Sequence, residues 1–534
     1  MQNDLRLTRA SFLSLVLGLA GGAAVGGSPG SARAQSASTI IGGFDVGPGG
    51  LQGNFNPLSA TSGFTWLSLY FEPLVIYDAK LENIVGALAK THTVSADKLT
   101  YTFTLADAKW HDGVPFTSAD VKFTFATARN GATGTVFAAR LGAVAAVETP
   151  DARTVVLKLS QPNAGLLASL TQLMMIPEHA LKNIPSEQLA KHEWWSSTPI
   201  GTGPYKFVRY VTDQYVELAA NPDYRDGQPA TARVINRYFA NTAAAVAALR
   251  SGEIAFSYVD PDDVAAFRNN PAFRIIEGNS YVVNYVGFNQ EAPMWKDLRV
   301  RQAVMYAINR AAIIQALYKG AAQPADCGYV VKNLVPTGID PYPYDPAKAK
   351  KLLAEAGWEK INGSKPISWL TYYNTPQVAN VMAAIQAMLA QVGINVVPRA
   401  VDVATYNGII YAKTPDWKQF PLVFAGLQNG PDPSAINMGL NEKQIPPNGS
   451  NFLHIRMPKV TAAFDAAMQE TDDSKSAARY GEVCKIMNAE LPWATMWVAT
   501  RYGIASAKLK NFIWTPAPAG GPYAAHSEKW ELAS

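Results

Sequence analysis

Ser95-Ala96-Asp97-Lys98 has the Ser-x-x-Lys spacing in which a lysine takes the proton of a nucleophilic serine. That chemistry needs the pair on a helix and a companion Lys-Thr-Gly. Here the tetrapeptide runs into Leu99-Thr100-Tyr101-Thr102-Phe103-Thr104-Leu105, whose period-two alternation reads as a half-buried strand, and Lys-Thr-Gly is absent. His111-Asp112 offers a base beside a carboxylate, but neighbours in a turn face different ways, so the pair reads as architecture. The six histidines, His92, His111, His179, His192, His454 and His526, are dispersed, with no two at zinc-site spacing. Past residue 34 there is no Gly-x-Ser-x-Gly turn and no Walker-type phosphate loop, and the glycines of 42–50 lack dinucleotide spacing. No cofactor and no metal is expected, and catalysis is not the leading reading.

The elements that would position these groups are mixed. Thr154-Val155-Val156-Leu157-Lys158-Leu159 reads as a second half-buried strand. Thr117 or Ser118 caps a predicted helix over 119–128, with Asp120 in its first turn, where a negative charge favours the helix dipole. Helical spacing of Val300, Val304, Ile308 and Ile313 predicts a helix within 298–318, and Val378, Met382, Ile385 and Leu389 predict another over 376–392. Asp345-Pro346 opens a helix that Gly357 closes. The 534 residues exceed what one core serves and predict two or three lobes. With 46 basic residues against 42 acidic ones and no basic arm, nucleic acid is not an expected partner.

At the N-terminus, Arg6 and Arg9 precede an apolar stretch from Phe12 to about Val25, then Ala32-Arg33-Ala34. This is the order of a secretory signal peptide cleaved near Ala34, leaving a periplasmic product. Thr8-Arg9-Ala10-Ser11-Phe12-Leu13 resembles a twin-arginine signal with Ala10 in place of the second arginine, so the general export route stays open. Removing residues 1–34 leaves 43 basic and 41 acidic residues. Cys327 and Cys484 are either a disulfide, which an oxidising compartment permits, or two buried thiols.

The segment 84–125 resembles the signature block of the family 5 extracytoplasmic solute-binding proteins, the peptide/nickel type. The match runs Gly86-Ala87-Leu88-Ala89, Ser95 to Phe103, then Trp110-His111-Asp112-Gly113-Val114-Pro115-Phe116-Thr117-Ser118-Ala119-Asp120-Val121. Further blocks follow in order: Pro199 to Tyr205, Asn221-Pro222-Asp223-Tyr224, Ala247 to Ile254, Val286 to Asn289, Leu298 to Arg310, Tyr344 to Trp358, Pro431 to Ser434 and Leu491-Pro492-Trp493.

The resemblance implies an α/β, two-lobed, clam-shell fold with an extra N-terminal-side subdomain. Lobe I would combine residues 35–62, 197–283 and 497–534, the extra subdomain 63–196, and lobe II 284–496. A small organic solute would enter the cleft, the lobes would close by hinge motion, and the loaded monomer would dock on the permease of an ABC importer. Its implied cleft walls include Asn56 in Phe55-Asn56-Pro57, Phe64 and Trp66 in Phe64-Thr65-Trp66, and Trp417, Gln428 and Asn429. Peptide binders of the family place an aspartate, which holds the peptide's ammonium group, where this chain has Asn429. A neutral amide gives a buried ammonium no counter-charge. A blocked peptide, opine-like conjugate or saccharide is therefore expected at least as readily as a free-ended peptide. The reading from another class is an exported hydrolase of peptides or β-lactams.

Overall fold

Two long strands, Phe273–Phe288 and Trp493–Ser506, run through both halves of an eleven-stranded mixed sheet. The computed structural model describes residues 38–46, 55–59, 64–133, 135, 137–329, 331, 334–412, 414–428, 430–446, 449–516 and 525–533. The proposed export segment, 1–34, lies outside them. The ladder between the two crossing strands is antiparallel and unbroken from Phe273 opposite Ser506 to Asn279 opposite Thr500, and resumes at Val283 opposite Val498. Over that step the first strand advances four residues and the second two, a bulge that bends the ladder. Inside it, the Asn279 side-chain oxygen accepts the Tyr281 N–H (2.7 Å) and Ser280 Oγ accepts the Val282 N–H (3.2 Å). Tyr281 takes φ +52°, a left-handed conformation that bulky residues rarely adopt.

Each side of the bulge carries its own part of the sheet. On one side, Thr39–Val46 lies parallel to both Arg233–Phe239 and Phe256–Val259, which the helix Thr242–Arg250 connects. Tyr215–Ala220 and Tyr205–Val211 extend that edge. On the other side, Leu422–Gln428 pairs with residues 282–288, and Ile367–Thr371 lies parallel to it and to Val396–Ala400. The helix Pro376–Gln391 joins the last parallel pair.

The apolar cores follow the same division. Ile40, Val216, Val234 and Phe256 share one core with Phe103, Phe125 and Val155 of the extra subdomain. Val304, Trp369, Ile385, Phe424 and Trp497 belong to another. At the bulge itself Val283, Ala325 and Val498 form a small cluster of their own. The fold is therefore two-lobed α/β with an extra subdomain fused to the first lobe's core. That subdomain is a four-stranded antiparallel sheet, in the order Ala89–Val94, Thr100–Leu105, Thr154–Leu159, Val144–Asp151, and the helix Ser118–Arg129. Asp120 accepts the N–H of the capping Thr117 at 2.9 Å and, through its other oxygen, the N–H of Glu178 at 3.0 Å.

The single helix expected within 298–318 is two, Leu298–Ala307 and Arg310–Leu317. Ile308 is extended, and the Asn309 side chain accepts the Ala312 N–H at 3.0 Å, so an asparagine restarts the helix where apolar spacing alone suggested continuation. Asp345 and Gly357 bound Pro346–Ala356 as expected, Gly357 with φ +75°. Cys327 and Cys484 form a disulfide with Cα atoms 5.3 Å apart, fastening a loop of the second lobe to the helix Asp473–Glu490.

The extra subdomain is also anchored electrostatically. Arg225 grips Glu72 through two bonds (2.7 and 2.8 Å), and Tyr224 donates to the same carboxylate at 3.1 Å. Both partners are largely buried, so Glu72→Ala leaves the guanidinium with only the exposed Asp226 carboxylate, 3.4 Å away, as counter-charge. We expect that variant to lose about 3–5 kcal/mol in denaturant unfolding, against under about 1 kcal/mol for Lys459→Ala at the exposed Lys459–Glu490 pair.

Candidate functional site

The residues with apparent catalytic spacing are taken up by turns. Ser95 Oγ donates to Asp97 (2.6 Å) and accepts the Thr100 N–H (2.9 Å), closing the turn between Ala89–Val94 and Thr100–Leu105. His111 is fixed between two backbone groups of the glycine-rich crossover: Nδ1 accepts the Gly201 N–H at 3.1 Å and Nε2 donates to the Gly203 carbonyl at 3.0 Å. The crossover needs its glycines, since a Cβ on Gly201 would sit 1.7 Å from the Tyr70 carbonyl oxygen. Asp112 turns the other way, to His179 Nε2 at 2.8 Å. Burial lowers the His111 pKa to about 4, against the pull of the Gly203 carbonyl, which keeps the ring neutral.

A crevice of about 70 Å³ opens between the extra subdomain and the second lobe. Tyr77, Arg140, Asn163 and Gln172 line one wall; Asp432 and Asn437 line the other. It adjoins a recess of about 250 Å³ that reaches Asp465. A backbone bond ties the walls together: the Ala164 N–H donates to the Met468 carbonyl at 2.8 Å. Beside it, a Cβ on Gly165 would lie 2.2 Å from Ser434 Oγ.

Tyr77 lines the crevice and is also within electrostatic reach of the bulge. Its pKa is raised first by burial and then by the Asp432 carboxylate and Tyr281, so groups from the subdomain, the second lobe and the crossing strand meet there. Asp432 caps the turn Pro433–Ile436, its Oδ1 accepting the Ser434 N–H at 2.7 Å, and burial raises its pKa. Arg140 donates to Gln172 Oε1 at 3.0 Å. Among the described residues, no three His, Cys, Asp or Glu side chains gather as a metal site.

The residues singled out from sequence are scattered with respect to this crevice. Asn429 lies outside the described residues, as do the side chains of Gln428 and Phe64; Gln428 ends the strand Leu422–Gln428, opposite Val282. Trp66 packs into the first core against Phe55 (4.5 Å between ring centroids) and Tyr70 (5.9 Å), turning no face to the crevice. Asn56 is buried, accepting the Leu58 N–H at 3.0 Å. Trp417 is half-buried against the core of the second lobe. Trp493 is core, stacked on Tyr285 at 4.5 Å. Asp402 caps the helix Val403–Ile410 and Asp416 the short turn Trp417–Gln419, accepting the Thr405 and Lys418 N–H groups. Arg140 and Gln172 were missed. The available signal was a lone arginine inside the apolar run Phe137-Ala138-Ala139-Arg140-Leu141.

Two lobes joined by two crossing strands, with a crevice between the extra subdomain and the second lobe, are the architecture of a solute-binding protein. The chain belongs to the bacterial extracellular solute-binding proteins, family 5, whose model matches residues 83–444. It is 70% identical over 502 residues to a Brucella melitensis protein provisionally named an ABC transporter peptide-binding protein, covering 94% of this chain and 95% of that one. The oligopeptide-binding protein AppA of Bacillus subtilis, solved with a nonapeptide, superposes with a TM-score of 0.83 at 24% identity, over 93% of this chain and all of AppA. NikZ of Campylobacter jejuni, solved with Ni(L-His), gives 0.80 at 24% identity, over 93% and 99%.

Two measurements test this geometry. Because His111 has a lowered pKa in the fold, the unfolded chain takes up a proton between pH 6.5 and 4 that the folded chain refuses. Stability therefore falls as pH drops through that window, by up to about 3 kcal/mol, and His111→Asn flattens this limb in unfolding curves taken across it. Gly165→Val pushes a side chain into Ser434 and holds the walls apart. We expect solute affinity to drop on the order of tenfold or more in titration calorimetry, with the unfolding temperature nearly unchanged.

Proposed function

We propose that the chain is the periplasmic receptor of an ABC importer. It captures a peptide-like or other small organic solute between its lobes and delivers it, as a monomer, to a membrane permease. The observation that carries this reading is the bulged pair of crossing strands, which joins two separate cores and leaves a crevice where they face each other. Bending there changes the crevice without disturbing either core, which is what closure on a solute requires. The name of the Brucella relative supports a peptide-like cargo, and the Ni(L-His) bound by NikZ shows that a similar fold holds other solutes. The lobe boundaries proposed are 35–62, 197–283 and 497–534 for lobe I, 63–196 for the extra subdomain and 284–496 for lobe II. Cleavage near Ala34 and passage to the periplasm complete the reading.

An exported hydrolase would need a nucleophile or activated water facing the crevice, and Ser95 and His111 are engaged elsewhere. Native mass spectrometry of the exported protein, followed by incubation with a defined peptide mixture, tests the proposal. We expect one solute molecule per chain, recovered intact. Release of cleaved products at more than one equivalent per chain would refute it.

A further inference from the structure

Two charged groups of the crevice have no counter-charge among the described residues. Arg140 Nε is buried without a hydrogen-bond partner. Its Nη1 donates to the neutral Gln172, and the guanidinium carbon lies 5.5 Å from the centre of the Phe137 ring. Burial alone lowers its pKa to about 10, with no carboxylate acting on it. Across the crevice, Asp432 uses Oδ1 to cap Ser434, and the influences on its own pKa are burial and that same serine, with no cation among them. Arg140 and Asp432 line the same space, yet neither figures among the charges that act on the other. Keeping a desolvated cation and a desolvated anion both unpaired is costly, and they face a common space open to a guest.

We propose that the crevice recognises a dipolar solute, with its carboxylate on Arg140 and Gln172 of the extra subdomain and its cationic group on Asp432 of the second lobe. The inference rests on the receptor reading above and narrows it to one charge class. The buried Nε of Arg140 is a donor that the Gln172 contact on Nη1 leaves unused, and the Nε edge is one on which a guanidinium grips a carboxylate. The extra subdomain thus contributes directly to recognition. Asp432, rather than the amide at Asn429, supplies the negative charge for the solute's cation. Because the two charges stand on opposite walls, a solute that bridges them binds the closed form better than the open one, which makes binding the force that closes the lobes.

The test is titration calorimetry on the full exported chain, freed of retained solute, with free-ended alanine peptides of two to five residues and their N-acetylated and C-amidated forms. Wild type should bind at least one free-ended peptide and lose on the order of 100-fold when either end is blocked. Arg140→Gln should weaken the free peptide by a similar factor and bind the amide equally well, abolishing discrimination at the carboxyl end only. Asp432→Asn should abolish it at the amino end only. Unfolding temperatures near wild type confirm that both variants fold. Three results overturn the inference: wild type binding none of the free-ended peptides, wild type binding blocked and free forms alike, or both variants keeping wild-type discrimination. If the variants instead shift the solute-free protein between open and closed forms with discrimination intact, the two residues are a latch, and the inference is equally overturned. An uncharged solute found intact in the purified protein would remove the dipolar assignment while leaving the receptor reading in place.

Discussion

The structure depends on one backbone device, the antiparallel ladder of Phe273–Phe288 and Trp493–Ser506 and the step between Asn279 and Val283 that interrupts it. A sheet is stiff against bending where every rung is made and compliant where rungs are missing. The interruption falls beside a small cluster of Val283, Ala325 and Val498, apart from the two larger cores. Each larger core excludes water on its own side, so neither has to be opened for the halves to rotate. Left-handed Tyr281 and the Asn279 and Ser280 side-chain bonds satisfy the backbone inside the bulge and give it one defined geometry.

The extra subdomain gives that motion its consequences. It shares a core with the first lobe and is fastened there by the buried Glu72–Arg225–Tyr224 group, so it moves with that lobe. Its far side reaches the second lobe at Ala164 and Gly165, beside the crevice that holds Arg140 and Asp432. In the closure we propose, rotation at the bulge changes the distance between Arg140 and Asp432. Charge separation across a mobile gap is a simple way for a solute to favour one conformation, because only a guest that spans the gap gains from closing it.

Much of the fold was legible in the sequence because local rules and tertiary packing agreed. The alternation of 99–105 and 154–159, the Thr117 cap and the Asp345-Pro346 to Gly357 helix are each set by neighbouring residues and appear as read. The helix over 298–318 failed because apolar spacing continued across a point where Asn309 offered a better local bond. The crevice was hardest to see. Trp66 has the size and polarity of a pocket wall, yet its apolar area is better used in the core, and sequence does not say which of 12 tryptophans is spare. Arg140 escaped notice because its meaning lies in the lack of a carboxylate beside it among the described residues, which is a property of three-dimensional neighbours.

The most direct test of the account is the distance between the two edges of the sheet. Val208 and Val397 are exposed and sit on its outermost strands, one at each end. Spin labels on Val208→Cys and Val397→Cys, read by pulsed dipolar spectroscopy with and without the co-purifying solute, report bending at the bulge. Bending at the bulge should give two distance distributions, the solute-bound one narrower and shifted as a single population. One unchanged distribution at saturating solute would show a rigid sheet and contradict it.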